Sequence, residues 1–155
     1  MKKAEIRHAE PEDLNALLDM GRDFFEHSGS ASFTTFDEAS LTATLIALIS
    51  GVSGGSLLVA ETDGQVVGMA ACVVFPFYAN HSTLIGQEIF WWVKPEHRKG
   101  IGGSLLDELE AEAKRKGAKV FLGAHLSGER NAAFERLYRR RGYTPAENTH
   151  LRILS

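Results

Sequence analysis

Residues 84–106 constrain the fold more than any other part of the chain. An apolar strand (84–93) ending in Phe90-Trp91-Trp92-Val93 runs into a basic, glycine-rich turn. An amphipathic helix follows, with Leu105, Leu106, Leu109 and Ala113 on one face and Gly117 at its end. Another strand is predicted at 120–125. Strand, helix and strand in this order close as a right-handed parallel crossover. The turn also sets backbone N–H groups, bare of side chains, at the positive end of a helix dipole. Phosphate or pyrophosphate binds at such a place.

Upstream, residues 6–8 read as a first strand. Pro11-Glu12-Asp13 starts a helix that carries Leu14, Leu17, Leu18, Met20, Phe24 and Phe25 and stops at Ser28-Gly29-Ser30. Asp37 is placed to cap a second helix, with Leu41, Leu45, Ile46 and Ile49 on one face and Gly51 at its end. Two strands, 56–62 and 66–75, flank the hairpin signal Asp63-Gly64. Residues 76–83 read as a loop, 131–141 as a helix, and the tail from Tyr143 as one or two short strands. The order β-α-α-β-β-β-α-β-α-β predicts an α/β chain, α+β in type, with a mixed sheet and helices on both faces. At 155 residues, one domain spanning 1–155 is expected.

Seventeen Lys and Arg against 20 Asp and Glu leave a formal charge of −3, so no general affinity for nucleic acid is implied. The basic residues cluster at His97, Arg98 and Lys99 and again at Arg136, Arg139, Arg140 and Arg141, which suits a small anionic ligand. Cys72 is the only cysteine and lies in an apolar run, so neither a disulfide nor a thiolate metal site is expected, and no metal is implied. Met1 to Glu5 lacks the apolar core of a signal peptide, and no stretch reaches the roughly 18 apolar residues of a membrane span. The expectation is a cytoplasmic protein without a membrane partner.

The glycine turn can be read as a helix start that needs tight turning and nothing else, although three glycines in four residues are costly in conformational entropy, or as a phosphate-binding motif. A dinucleotide fingerprint would need a third glycine where Leu105 stands and an acid at the end of the next strand, which reads Val120-Phe121-Leu122-Gly123-Ala124-His125. A phosphate-binding P-loop would need Gly-Lys-Ser/Thr to close the turn, and none is there. The turn resembles that of the GNAT superfamily of N-acetyltransferases, whose acyl-CoA site is marked by Arg/Gln-x-x-Gly-x-Gly/Ala between a strand and a helix. The frequent Pro-Glu-x-Arg lead-in stands here as Pro95-Glu96-His97-Arg98. The turn is one residue shorter than the commonest form. Counted back from Gly100 and Gly102, His97 takes the Arg/Gln position; counted from Arg98, Ile101 and Gly103 take the glycine positions. A second family pattern, Asn-x-x-Ala-x-x-x-Tyr-x-x-x-Gly-Phe, is matched by Asn131, Phe134, Tyr138, Gly142 and Tyr143, with Phe for Ala and Tyr for Phe.

The resemblance implies a mainly antiparallel sheet with a central parallel strand pair, and acetyl-CoA as acyl donor. Acetyl transfer to an amine must hold the donor, polarise its carbonyl, deprotonate the amine and protonate the departing thiolate. By position, Trp92, Val93 and Lys94 would lie along the pantetheine. The turn formed by His97, Arg98, Lys99, Gly100, Ile101, Gly102, Gly103 and Ser104 would hold the pyrophosphate. Asn131 would bond to the pantetheine, Phe134 would pack beside it, and Tyr138 takes the place of the family's general acid.

Glu88, an acid in an otherwise apolar strand, is the first candidate for the base. By alternation it shares a face with Phe90 and Trp92, and the other reading is a strand-end acid in solvent. His125 is the rival base and His81 a weaker one. Phe24, Phe25, Phe33, Phe36, Phe75, Phe77 and Tyr78 fall in the segments that wall the family's acceptor pocket. The implied partner is a small-molecule or peptide amine, and homodimers are common in the family. A non-catalytic acyl-CoA sensor and an interaction scaffold on the same fold are the alternatives.

Overall fold

The computed structural model describes residues 3–128 and 130–154. Its elements run β1 (Glu5–His8), α1 (Leu14–His27), α2 (Glu38–Ile49), β2 (Gly55–Thr62), β3 (Gln65–Phe77), β4 (Asn80–Val93), α3 (Ile101–Arg115), β5 (Ala118–Leu122) and α4 (Asn131–Arg140). The sheet order is β1-β2-β3-β4-β5, antiparallel throughout except for the parallel pair β4 and β5. No helix among the described residues is long and apolar enough to cross a membrane.

Period-two alternation along the strands builds two cores. On one face, Leu17 and Met20 of α1 and Leu45 and Leu48 of α2 cover Leu57, Val59, Met69, Ala71, Phe90 and Trp92. On the other, Leu105, Leu109 and Ala113 of α3 cover Leu58, Ala60, Val67, Ala70, Cys72 and Val93. Leu17, Met20 and Leu45 are fully buried, each contributing about 1.5–3 kcal/mol by leaving water. Two local devices fix where the first helices start. The Asp13 carboxylate accepts the Glu10 N–H and pairs with Arg7 of β1, and Asp37 accepts the Ala39 N–H at the start of α2.

Three stretches differ from the sequence reading. The expected loop 76–83 is a hairpin: Pro76 pairs with Leu84 and Phe77 with Asn80, and a register irregularity between them absorbs the extra residues. Proline, without an N–H, is tolerated beside such an irregularity. The strand expected at 120–125 runs instead from Ala118 to Leu122, which leaves His125 beyond it. The tail forms no strand among the described residues. Its alternation is strand-like, but alternation alone supplies no pairing partner. With no tail strand beside it, β5 is the last strand of the sheet.

Candidate active site

The site follows from two irregularities in β4. Its register against β3 slips between Ala71, which pairs with Phe90, and Cys72, which pairs with Glu88, leaving Ile89 as an extra residue. Such a bulge re-aims the side chains beside it. Simple alternation placed Glu88 with Phe90 and Trp92. The slip instead matches it to Cys72, whose side chain belongs to the α3 core, and this corrects the expected face.

The second irregularity is a parting of strands. Pairing of β4 with β5 runs from Leu84 opposite Ala118 to Gln87 opposite Leu122 and stops there, while β4 continues to Val93. From Glu88 onward, β4 has a strand partner only on its β3 side among the described residues. One side of its backbone therefore opens into a wedge.

Two side chains meet in that wedge on the backbone of Ala124. Glu88 Oε2 accepts the Ala124 N–H at 3.3 Å, and the Tyr138 hydroxyl donates to the Ala124 carbonyl at 2.8 Å. Glu88 and Tyr138 are each 8% exposed. Burial pushes the Glu88 carboxyl up to about 7, opposed by the Ala124 N–H. Burial also raises the Tyr138 phenol above its ordinary value, with the Glu88 charge adding to the effect. Gly123 makes this approach feasible, since a Cβ there would collide with the Tyr138 ring.

His125 comes to the same place by stacking. Its ring lies 5.4 Å from Phe134 at 8° and 6.0 Å from Tyr138 at 28°. Trp91 approaches the cluster from β4, 5.4 Å from Phe134 and 6.3 Å from Tyr138. Glu88, His125, Phe134 and Tyr138 are thus brought together. Asn131 opens α4, with its amide donating to Glu135. His81 lies on the exposed far arm of β4 and makes no side-chain hydrogen bond or ion pair among the described residues.

At the other end of the wedge, a short 3-10 turn (Pro95–His97) leads from Lys94 into the glycine turn. Arg98, not His97, ties this turn to the strand. Its Nε donates to the Val93 carbonyl at 2.8 Å, and its guanidinium lies 4.5 Å over the Trp92 ring. Lys99 is exposed and precedes Gly100, which sits at the N-cap of α3 with φ 87°, a conformation that favours glycine. No side chain caps α3; Ile101, Gly102 and Gly103 form its first turn, and the Ser104 N–H returns to the Gly100 carbonyl. A Cβ on Gly102 would lie 3.2 Å from the Trp91 ring, so this glycine lets α3 pack closely on β4, whereas one on Gly103 would meet only the movable end of the Arg141 side chain.

Arg130 was not legible as a site residue. It stands at the N-cap of α4, its guanidinium 5.5 Å over Phe134. Burial and the positive charge of Arg130 lower the Arg98 pKa, and no carboxylate forms an ion pair with either arginine among the described residues. A basic residue directly before Asn131 was the available signal. The indole N–H groups of Trp91 and Trp92 are also buried and lack hydrogen-bond partners among the described residues. The uncapped start of α3, with two arginines that have no ion-pair partner among the described residues, fits an anionic ligand rich in acceptor oxygens.

The model of the acetyltransferase (GNAT) family matches residues 15–143. No curated protein matches the chain. Among solved structures, it resembles a predicted acetyltransferase from Clostridium acetobutylicum crystallised with acetyl-CoA, at 20% identity and TM-score 0.75 over 97% of this chain and 96% of that one. It also resembles the ribosomal-protein-alanine N-acetyltransferase of Brucella melitensis biovar Abortus 2308 (16% identity, TM-score 0.74, 99% and 100% covered). The aminoglycoside antibiotic 6'-N-acetyltransferase of Acinetobacter haemolyticus is similar too (19% identity, TM-score 0.71, 97% and 98% covered). At these identities the likeness is one of fold.

Proposed function

The chain belongs to the acetyltransferase (GNAT) family, whose acyl donor is acetyl-CoA, and from that premise we propose that it transfers the acetyl group directly to a primary amine. The observation that carries this reading is the wedge between β4 and β5, where Glu88 and Tyr138 converge on Ala124. The open backbone side of β4 runs along the pantetheine and offers N–H groups to the thioester carbonyl. The first turn of α3 holds the pyrophosphate, with Arg98 and Arg130 as its counter-charges. Asn131 and Phe134 flank the pantetheine.

Glu88 takes the proton from the amine as it attacks. A carboxyl near 7 is well matched to that task, because it is half ionised at neutral pH and still basic when ionised. As the C–S bond breaks, negative charge collects on a sulfur whose thiol has a pKa of about 8.5. The Tyr138 O–H, which donates to the Ala124 carbonyl before the reaction, turns to the sulfur and stabilises this thiolate, and water then protonates it. The raised pKa of Tyr138 disfavours complete loss of its proton, so it acts as a hydrogen-bond donor rather than a free acid. His125, stacked on Phe134 and Tyr138, orients the ring cluster. The acceptors named for the two neighbours above, a protein alanine and an aminoglycoside, have little in common, and the fold does not select between them.

The test is amine-dependent release of CoA thiol from acetyl-CoA across a panel of primary amines. Saturable release supports the reading. Tight CoA binding without turnover on any amine would replace it with an acyl-CoA sensor.

A further inference from the structure

Charge is not spread evenly along this chain. Residues 117–155 hold seven of the 17 Lys and Arg but only three of the 20 Asp and Glu. That stretch carries a formal +4, and residues 1–116 carry −7. The whole-chain value of −3 conceals this division, which suits an anionic partner met by one side of the molecule.

The structure gathers the excess on α4. Arg136, Arg139 and Arg140 stand three and four residues apart, so they share one face of the helix, and all three are exposed. None of them makes an ion pair or a side-chain hydrogen bond among the described residues. Nearby carboxylates are engaged elsewhere: Glu135 accepts the Asn131 amide, Asp107 holds Arg141, and Glu110 accepts the Tyr143 hydroxyl. Ala132 and Ala133, exposed on the turn before, leave the approach to the arginines open.

The chemistry of this face selects among polyanions. All three cations are arginines, whose planar forks grip phosphate oxygens in pairs. A lipid surface would need large apolar side chains to insert, and α4 turns Phe134 and Tyr138 inward, onto Trp91 and Ala124. A folded acidic protein would need an apolar centre to its interface, and this face has none. A row of like charges one turn apart suits a repeating phosphate chain.

We propose that the outer face of α4 binds the sugar–phosphate backbone of a nucleic acid, without reading its bases, through Arg136, Arg139 and Arg140. Three phosphate contacts give a logarithmic salt slope of roughly −2 for a single strand and nearly −3 for a duplex. Affinity for a single strand therefore falls about 20-fold between about 50 and 200 mM salt. The proposal does not depend on the acetyl-transfer reading.

The experiment is fluorescence anisotropy of the full chain with a labelled single-stranded RNA of mixed sequence, and with DNA of that sequence as a single strand and as a duplex. Binding to one or more of these with the stated slope is expected. Arg136→Gln/Arg139→Gln/Arg140→Gln should weaken it by at least about 10-fold with the melting temperature kept, since the three side chains are exposed. Asp19→Asn/Glu26→Gln raises the net charge by two on α1, across the sheet from α3, and should leave affinity within about twofold. No binding to any of the three probes at low salt overturns the proposal, as does equal affinity in the arginine variant. Equally tight binding of a glutamate peptide of matched charge, or of phosphatidylserine vesicles, overturns the choice of nucleic acid. A gain in the α1 variant as large as the loss in the arginine variant makes net charge the cause and overturns the assigned face.

Discussion

Glu88→Gln keeps the shape of the side chain and an oxygen for the Ala124 N–H, and removes only the titrating charge. With Glu88 as base, kcat/KM rises through the carboxyl pKa of about 7 and levels off as ionisation completes. In the Gln variant the acidic limb disappears and the plateau falls by about 10²- to 10⁴-fold. Stability supplies a second readout. Burial lifts the carboxyl from its ordinary 4.5 to about 7, so the fold penalises the charged form. At about 1.4 kcal/mol per unit the penalty is roughly 3 kcal/mol. It is absent below pH 4.5, grows as the pH rises toward 7, and is constant above. The Gln variant should therefore melt several degrees above the native protein at pH 8 and level with it near pH 4. Rates by thiol release and melting scans across this range measure both. An acidic limb that persists in Glu88→Gln and vanishes in His125→Ala refutes the assignment. A melting difference independent of pH refutes the burial argument.

Tyr138→Phe should lower kcat about 10²-fold with CoA affinity kept, and isothermal titration beside steady-state kinetics separates the two effects. Gly123→Ala drives a methyl into the Tyr138 ring and should destabilise by about 1–3 kcal/mol while lowering kcat in the same direction, measured by urea unfolding and rate. Arg98→Ala and Arg130→Ala should each weaken CoA and shrink the salt dependence of its binding, whereas acetyl-pantetheine, which lacks the pyrophosphate, should bind the variants and the native protein alike. Gly102→Val should lower the melting temperature even without CoA, because the new side chain meets Trp91 before it meets any ligand.

Much of the fold was legible because it rests on periodicity. The two early helices, the Asp63-Gly64 hairpin and the β4-α3-β5 crossover all follow from spacing and turn residues. What escaped the sequence depends on contacts between distant residues. The bulge at Ile89, which re-aims Glu88, is a matter of register against β3, and nothing local announces it. The approach of Tyr138 to Ala124 needs the room that Gly123 leaves for its ring, a contact between residues fifteen apart. Gly102 shows the same limit from the opposite side: its place in the motif suggests backbone approach to a phosphate, while its absent Cβ makes room for Trp91. Arg98 and Arg130 act as a pair only once the end of β4 and the start of α4 are brought near each other.

The central claim, that the parting of β4 and β5 is an acetyl-transfer site, is tested most directly by initial rates of thiol release from acetyl-CoA at pH 8, with and without a primary amine, for the native protein and Glu88→Gln. The account predicts amine-dependent, saturable release that the variant loses by at least about 10²-fold. Equal release by both proteins, or none from the native protein with any amine, would contradict it.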